Sequence, residues 1–560
     1  MYRNIKTGKK TVLAVSAIAI MLLACSPGKI DTQEAALEKL NELVTDTIQP
    51  SRRENNYRAN IKLSKTNLLS MLPSIDEYPL TTEAQDGNRT EAVEIFTSSE
   101  KAGKGRDGFY NEMAALFNQQ QIKINNGKIA QISIRKIASG LGAQFILAHS
   151  NTPDAFSPSN HLWGDMLLAQ GIPLQKIADV TAPNTAGVIV RSSKKELITS
   201  NNQLDIQKLL TAVTSGSFAM GYTNPYQSST GLNFLLTILN AFAKGEESQF
   251  LAPDVASAFE AFQAGVPFVA QTTLQMRDAA VESGVLDALV MEHQSWVNVT
   301  GMGGYEFIPF GVRHDSPLYA TEQADAAERE VLTLFANFLK QNQNKVNEYG
   351  FGRNSDFQSS YAIENGAMIL GAQKIWKEKK SGGRPIAAVF VADTSGSMDG
   401  TRIKNLKRAL IESSDLISSI NSIGLVSYNE RVNIDLSIRP FNIQQKSLFI
   451  GAVEQLQTGG GTATNNAVLV AANELAEHAR SNPDHKLVIF VLSDGETNKG
   501  MEFTDVSAVL EWTGIPIHSI AYELSSDHLK AMAALAEGAY IESSAESASY
   551  RIGNLLNSEM

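Results

Sequence analysis

Residues 389–400 read VFVADTSGSMDG: an apolar run ends in an aspartate, and two serines follow at alternate positions. In extended chain, alternate side chains face the same way, so Asp393, Ser395 and Ser397 converge on one point. The run before them is one of several, at 386–392, 423–428, 487–492, 515–522 and 539–543, interleaved with helical patterns at 401–420, 443–455 and 464–481. Strands apolar throughout and separated by helices predict a parallel sheet covered on both faces. Ligands of such sheets bind at the carboxyl ends of the strands. Two more segments end at that edge: the glycine-rich GGGTATN with Thr462, and LVIFVLSDGE with Asp494.

Two carboxylates and three hydroxyls, with water, are a hard oxygen set of the kind that suits Mg²⁺. The pattern resembles the metal-ion-dependent adhesion site of the von Willebrand factor A family, which reads DxSxS, then a threonine, then an aspartate. Asp393, Ser395, Ser397, Thr462 and Asp494 match it in order. The resemblance implies a Rossmann-like, doubly wound fold over residues 386–560. It also implies Mg²⁺ or Mn²⁺, with Ca²⁺ as a third candidate, and a protein partner that offers an Asp or Glu to the metal. A plain strand-end turn, with Asp and Ser capping the next helix, explains neither Thr462 nor Asp494.

Rival chemistries lack their residues. No lysine follows Gly459–Thr462 as a phosphate loop requires, and neither GxSxG nor HExxH occurs. The 8 histidines include no pair three or four apart, so they read as surface or core residues rather than metal ligands. The expected protein binds rather than catalyses. A net charge of -11 argues against broad nucleic-acid binding. With 560 residues, the chain is expected to hold two or three domains.

The first residues read as an address. Arg3, Lys6, Lys9 and Lys10 precede an apolar stretch at 11–24 that is short for a membrane span, so residues 1–24 are expected to be a signal peptide. The segment ends LLAC, which resembles the lipobox of bacterial lipoproteins and makes Cys25, the chain's single cysteine, the expected lipidation site. An uncleaved anchor with an incidental cysteine is the alternative; either way the body lies outside the cytoplasm, and by the lipobox reading it is attached to membrane through its lipid. Ser26 favours the outer membrane, facing the periplasm, in a Gram-negative cell; otherwise the outer face of the plasma membrane is expected. Residues 25–90 read as a tether with helical pieces and few long-range contacts. The run KEKKSGGRP at 377–385 reads as a linker.

Between them, 91–376 offers diffuse signals: EAVEIFTS at 91–98, PDAFSPS at 153–159, a strand near Val188, TNPYQSSTG before an apolar helix, and DALVME at 287–292. Ser228, Ser229 and Thr230 at a helix start suit a polar ligand or simple capping. Together the segments resemble bacterial extracellular solute-binding proteins of the two-lobed periplasmic type. By that resemblance the cleft is lined by Ser98, Ser99, Ser157, Ser159, Ser228, Ser229, Thr230 and Glu292, and takes a small solute. Glu292 opposes an anionic ligand unless Lys101 or Arg106 offsets it; those two read equally as solvated surface charges. The expected function is metal-dependent protein binding by a lipid-anchored envelope protein. The alternative is the solute-binding component of an ABC-type transport system, with the C-terminal domain docking or regulating.

Overall fold

The computed structural model describes residues 30–61, 68–85, 87–270, 276, 286–352, 356–495, 497–536, 538–544 and 547–559. The expected signal peptide and Cys25 lie outside them.

The upstream unit has two lobes, each built on one sheet. In the first, the strand order is Leu80–Thr82, Ile129–Lys136, Thr90–Thr97, Ala155–Ser157, Leu318–Ala320 and Gln175–Ala178. In the second it is Phe268–Ala270, Met220–Thr223, Ala288–Glu292, Thr185–Arg191 and Tyr305–Arg313. The expected strands at 91–98, near Val188 and at 287–292 are all present. Residues 98, 157 and 292 stand at or just beyond strand ends. One apolar cluster, with Phe96, Phe145 and Phe156 from the first lobe and Val188, Val190 and Leu232 from the second, runs across both.

The C-terminal unit is a seven-stranded sheet. Its strands are β1 (Ser51–Arg52), β2 (Ile386–Asp393), β3 (Ser422–Tyr428), β4 (Val432–Pro440), β5 (Lys486–Ser493), β6 (Ile517–Tyr522) and β7 (Tyr540–Ser543), in the order β1-β4-β3-β2-β5-β6-β7. Its helices include α1 (Gln33–Glu42), α2 (Thr401–Ser413), α3 (Ile443–Glu454), α4 (Thr464–Ser481), α5 (Phe503–Thr513) and α6 (Ala548–Glu559), with a shorter one at Asp527–Ala534. β2 shows why the sheet is covered twice. Ala388 and Phe390 join a cluster with Leu406, Phe449 and Leu556, whereas Val389 and Val391 join one with Val468 and Leu510. Adjacent residues thus fill opposite cores. β4 is antiparallel to β3, and although VNIDLSIRP alternates apolar with polar residues, its first five, Asn433 and Asp435 included, are buried.

The tether expected at 25–90 is not what the described residues form. Thr32 caps α1, whose Ala36 and Leu40, with Leu43 and Val44 just beyond it, enter or line the C-terminal unit's packing. β1 then pairs parallel to β4, Ser51 opposite Asn433 and Arg52 opposite Ile434. Beyond it, Asn55 N–H donates to Asp435 O at 3.1 Å and Ala59 N–H to Ser447 O at 3.2 Å. An exposed sheet edge accepts any backbone that can reach it, and this arm covers the edge of β4. The linker is also packed: the Lys380 ammonium is buried, donates to Asn557 O and lies 5.3 Å from the centre of the Trp376 ring.

Candidate functional site

β2 delivers Asp393 to the carboxyl edge as its last residue. Ser395 N–H donates to Asp393 Oδ1 at 2.8 Å, turning the chain at the strand end, and Ser493 Oγ donates to Asp393 Oδ2 at 2.5 Å. The Ser395 and Ser397 hydroxyls are 3.0 Å apart, and Ser397 Oγ donates to Asp494 Oδ1 at 2.9 Å. Four of the five expected residues therefore form one chain of contacts across two strand ends. The glycine loop brings the fifth. Gly459 N–H donates to Thr394 O at 2.9 Å and Gly396 N–H to Gly460 O at 3.0 Å, stitching the two loops together. Thr462 N–H donates to Asn498 Oδ1 at 2.9 Å, and Thr462 O accepts from Asn498 N–H at 2.9 Å. Among the described residues, the Thr462 hydroxyl makes no hydrogen bond to the other four.

The structure adds a cation that the sequence reading missed. Arg402 Nη1 donates to Asp494 Oδ2 at 2.8 Å and to Ser397 O at 3.1 Å, while its Nε meets Glu523 Oε2 at 2.8 Å. One signal could have found it. Arg402 lies in the first turn of α2, where the helix dipole disfavours a positive charge, so a carboxylate nearby was to be expected.

Asp393 and Asp494 are both buried. Burial, and then the charge of Asp494, push the Asp393 carboxyl above its ordinary range, against the bonds from Ser395 and Ser493. Burial and the nearby Asp393 likewise push the Tyr428 phenol well up. Asp494 has Arg402 as counter-charge, whereas Asp393 forms no ion pair among the described residues. A buried carboxylate without a counter-charge, beside a second carboxylate and three hydroxyls, fits a hard divalent cation.

The upstream residues meet between the lobes as a dense polar network. Lys101 is 0% exposed, so it is not the solvated surface charge allowed for in the sequence. Its Nζ donates to Ser98 Oγ at 2.8 Å and Ser316 Oγ at 3.1 Å and pairs with Glu100 Oε1 at 3.3 Å. Burial lowers the Lys101 pKa, against the charges of Glu100 and Glu292. Burial would raise Glu100, but Lys101 and bonds from Ser98 and Ser159 outweigh it and hold it below its usual value. Glu292 is not unpaired either: Asn184 Nδ2 donates to its Oε2 at 3.0 Å and His314 Nδ1 lies 2.8 Å from its Oε1. Among the described residues, Arg106 takes part only through its carbonyl, which accepts from Gln294 Nε2 at 3.2 Å.

The remaining expected residues divide. Ser157 Oγ lies 2.9 Å from the Tyr110 hydroxyl, Ser98 Oγ lies 3.2 Å from Ser159 Oγ, and Ser229 Oγ accepts from Trp163 Nε1 at 2.8 Å. Ser99 is half-buried at the start of the short helix Ser99–Ala102. Ser228 is the cap of the helix Ser229–Phe242, accepting from Gly231 N–H at 3.4 Å, so the plainer reading describes it. The Thr230 hydroxyl is buried with no partner among the described residues. The lobes touch directly: Gly140 N–H donates to Gln227 O at 3.2 Å, and Gln294 Nε2 to Asp107 Oδ1 at 2.9 Å.

Comparison with known proteins agrees with this division of the chain. Residues 102–352 match the family model described as bacterial extracellular solute-binding protein, and residues 388–552 match that of the von Willebrand factor type A domain. An uncharacterized protein of Synechocystis sp. is 26% identical over 168 residues, 29% of this chain and 39% of that protein. The chain therefore spans well under two thirds of that relative's length. A von Willebrand factor type A structure from Catenulispora acidiphila superposes with a TM-score of 0.29 at 16% identity, covering 31% of this chain and 42% of that one. A periplasmic thiamin binding protein superposes with a TM-score of 0.39 at 10% identity, covering 53% of this chain and 98% of that one. The chain thus carries an extracellular solute-binding domain followed by a von Willebrand factor A domain, and the first of these families points to the cell envelope or periplasm. Among the described residues, no helix is long and apolar enough to cross a membrane.

Proposed function

We propose that this two-module chain is a non-catalytic envelope lipoprotein that grips a protein partner through a divalent metal at the carboxyl edge of its C-terminal sheet. The observation that supports this most is the contact chain from Asp393 through Ser395 and Ser397 to Asp494, buried at both carboxylates. The hydroxyls of Ser395, Ser397 and Thr462, with Asp393 and Asp494, would hold Mg²⁺ or Mn²⁺. When bound, the ion supplies a Lewis-acidic point for an Asp or Glu of the partner. The rest is done by this chain: Ser493 fixes the Asp393 carboxylate, Arg402 offsets the charge of Asp494, and the stitched glycine loop places Thr462. Cys25 would supply the lipid anchor.

The test is capture of envelope proteins on residues 26–560 in Mg²⁺ and in EDTA, with Asp393→Ala as control. A partner retained only by wild type with metal supports the reading. Titration calorimetry is the check on the ligands: unchanged metal affinity in Thr462→Ala removes that residue from the set.

A second reading is favoured by one contact: Tyr550 of α6 hydrogen-bonds to both lobes of the upstream unit. This gives the C-terminal domain a handle on the cleft, as a docking or regulatory module of an ABC-type solute-binding component requires. Thermal shifts against a panel of oxyanions and small polar solutes test it, and a blank across the panel counts against it.

A further inference from the structure

The arm laid along β4 does more than cover an edge. Between it, the strand ends of β3 and β4, and the chain leaving α3 lies a cavity of about 570 Å³. That is within the range of small-molecule sites, about 300–1,000 Å³. Asp435 lines it, only 8% exposed, and its buried Oδ2 has no hydrogen-bond partner among the described residues. Buried carboxylate oxygens are costly to leave without a donor, so this atom points to a missing ligand group. Burial raises the Asp435 carboxyl, against hydrogen bonding from Ser427 and the charge of Arg53.

The chemistry of the wall selects the ligand. Arg53 brings donors, Asp435 and Glu54 bring acceptors, and the carboxamides of Asn433, Gln455 and Gln457 bring both. A bare cation would need acceptors only, and an anion donors only. Hydroxyl groups, which donate and accept at once, use the whole set, and flat carboxylate, amide and guanidinium groups can grip neighbouring hydroxyls in pairs. Tyr57 also lines the cavity and is 51% exposed, a ring available to the apolar face of a sugar. The arm is held in shape for this. Asn55 Nδ2 donates to Leu448 O at 3.2 Å, and Tyr57 N–H donates to Asn55 Oδ1 at 2.9 Å.

We infer that this cavity is a saccharide site, taking one neutral, hydroxyl-rich pyranose unit. It opens beside the metal edge, since Thr394 lines it, yet none of the five expected metal ligands does. Sugar binding is therefore independent of the metal.

The test uses residues 26–560 in EDTA with glucose, galactose, mannose and N-acetylglucosamine as probes, read by saturation-transfer NMR and calorimetry. At least one probe is expected to bind with Kd on the order of 1 mM, weakened about tenfold in Asp435→Asn and several-fold in Tyr57→Ala. Because Tyr57 is exposed, its variant keeps the wild-type unfolding temperature and reports binding alone. Silence from all four sugars, unchanged binding in both variants, or binding that appears only when Mg²⁺ is restored overturns the assignment.

Discussion

The Tyr550 hydroxyl donates to Gln144 Oε1 at 2.9 Å, joining the C-terminal helix α6 to the first lobe, and it also accepts from Gln227 Nε2 of the second lobe at 3.4 Å. One buried side chain of the metal-edge domain thus bridges the two lobes. Tyr550→Phe keeps the ring and removes the bridge. It is expected to cost about 1 kcal/mol in denaturant unfolding and to speed amide exchange in residues 226–231. Unchanged exchange there would mean the hydroxyl does not couple the lobes.

At Gly140 the two lobes pass close to one another. A Cβ there would lie 2.1 Å from Tyr226 O and 2.7 Å from Gln227 Cα, backbone atoms that cannot swing aside. Helix propensity alone would favour alanine by about 1 kcal/mol, so any loss reports the wedge. Gly140→Ala is expected to part the lobes, seen as a larger radius of gyration by solution scattering. A wild-type radius would show that the lobes can slide without opening.

Arg402 neutralises Asp494, a carboxylate expected to bind metal. Because the guanidinium is 31% exposed, its effect is screened. Arg402→Gln is expected to tighten Mg²⁺ about fivefold by calorimetry, as the site becomes more negative. Weaker binding would instead make Arg402 the group that holds Asp494 in place.

Asp154 gives stability a pH dependence. Its carboxyl is pushed up to about 6, by burial first and then by Glu328, Glu94 and Asp325, although Glu94 N–H donates to its Oδ2 at 2.8 Å. Between the ordinary 3.8 and about 6 the folded chain holds a proton that the unfolded chain has lost, so stability falls as pH rises through that window. Asp154→Asn can still accept from Glu94. It is expected to remove this slope and raise stability at pH 7 by about 1–2 kcal/mol, after allowance for partial exposure.

What the sequence made legible follows from range. Asp393, Ser395 and Ser397 obey a two-residue period, and Thr462 and Asp494 follow or end conspicuous patterns, so local rules reach them. Arg402 was missed because its meaning depends on Asp494, which is far off in sequence. Lys101 stayed open between cleft and surface for the same reason: its partners Ser316 and Glu292 come from the other end of the upstream unit. β4 was missed because VNIDLSIRP alternates, unlike the solid apolar runs beside it. The arm carries little pattern at all, since β1 binds through backbone groups that every residue shares.

That makes the arm the structural feature most in need of a test of its own. The arm's backbone passes so close to α3 that a Cβ on Gly451 would lie 2.2 Å from Tyr57 O and 2.9 Å from Tyr57 Cδ1. The ring could turn away, but the carbonyl is fixed by its place in the chain and accepts from Asn55 Nδ2 at 3.1 Å. Gly451→Ala is therefore expected to lift residues 53–59 from the sheet while leaving α3, where alanine is the better helix former, intact. The cost should be about 1–3 kcal/mol, the usual range for forcing atoms into filled space. Limited proteolysis should then cut within the arm before any other site. A variant as protease-resistant as wild type would show that β1 pairing and the hydrogen bonds of Asn55 and Ala59 hold the arm, and that the approach of Tyr57 to Gly451 contributes nothing to it.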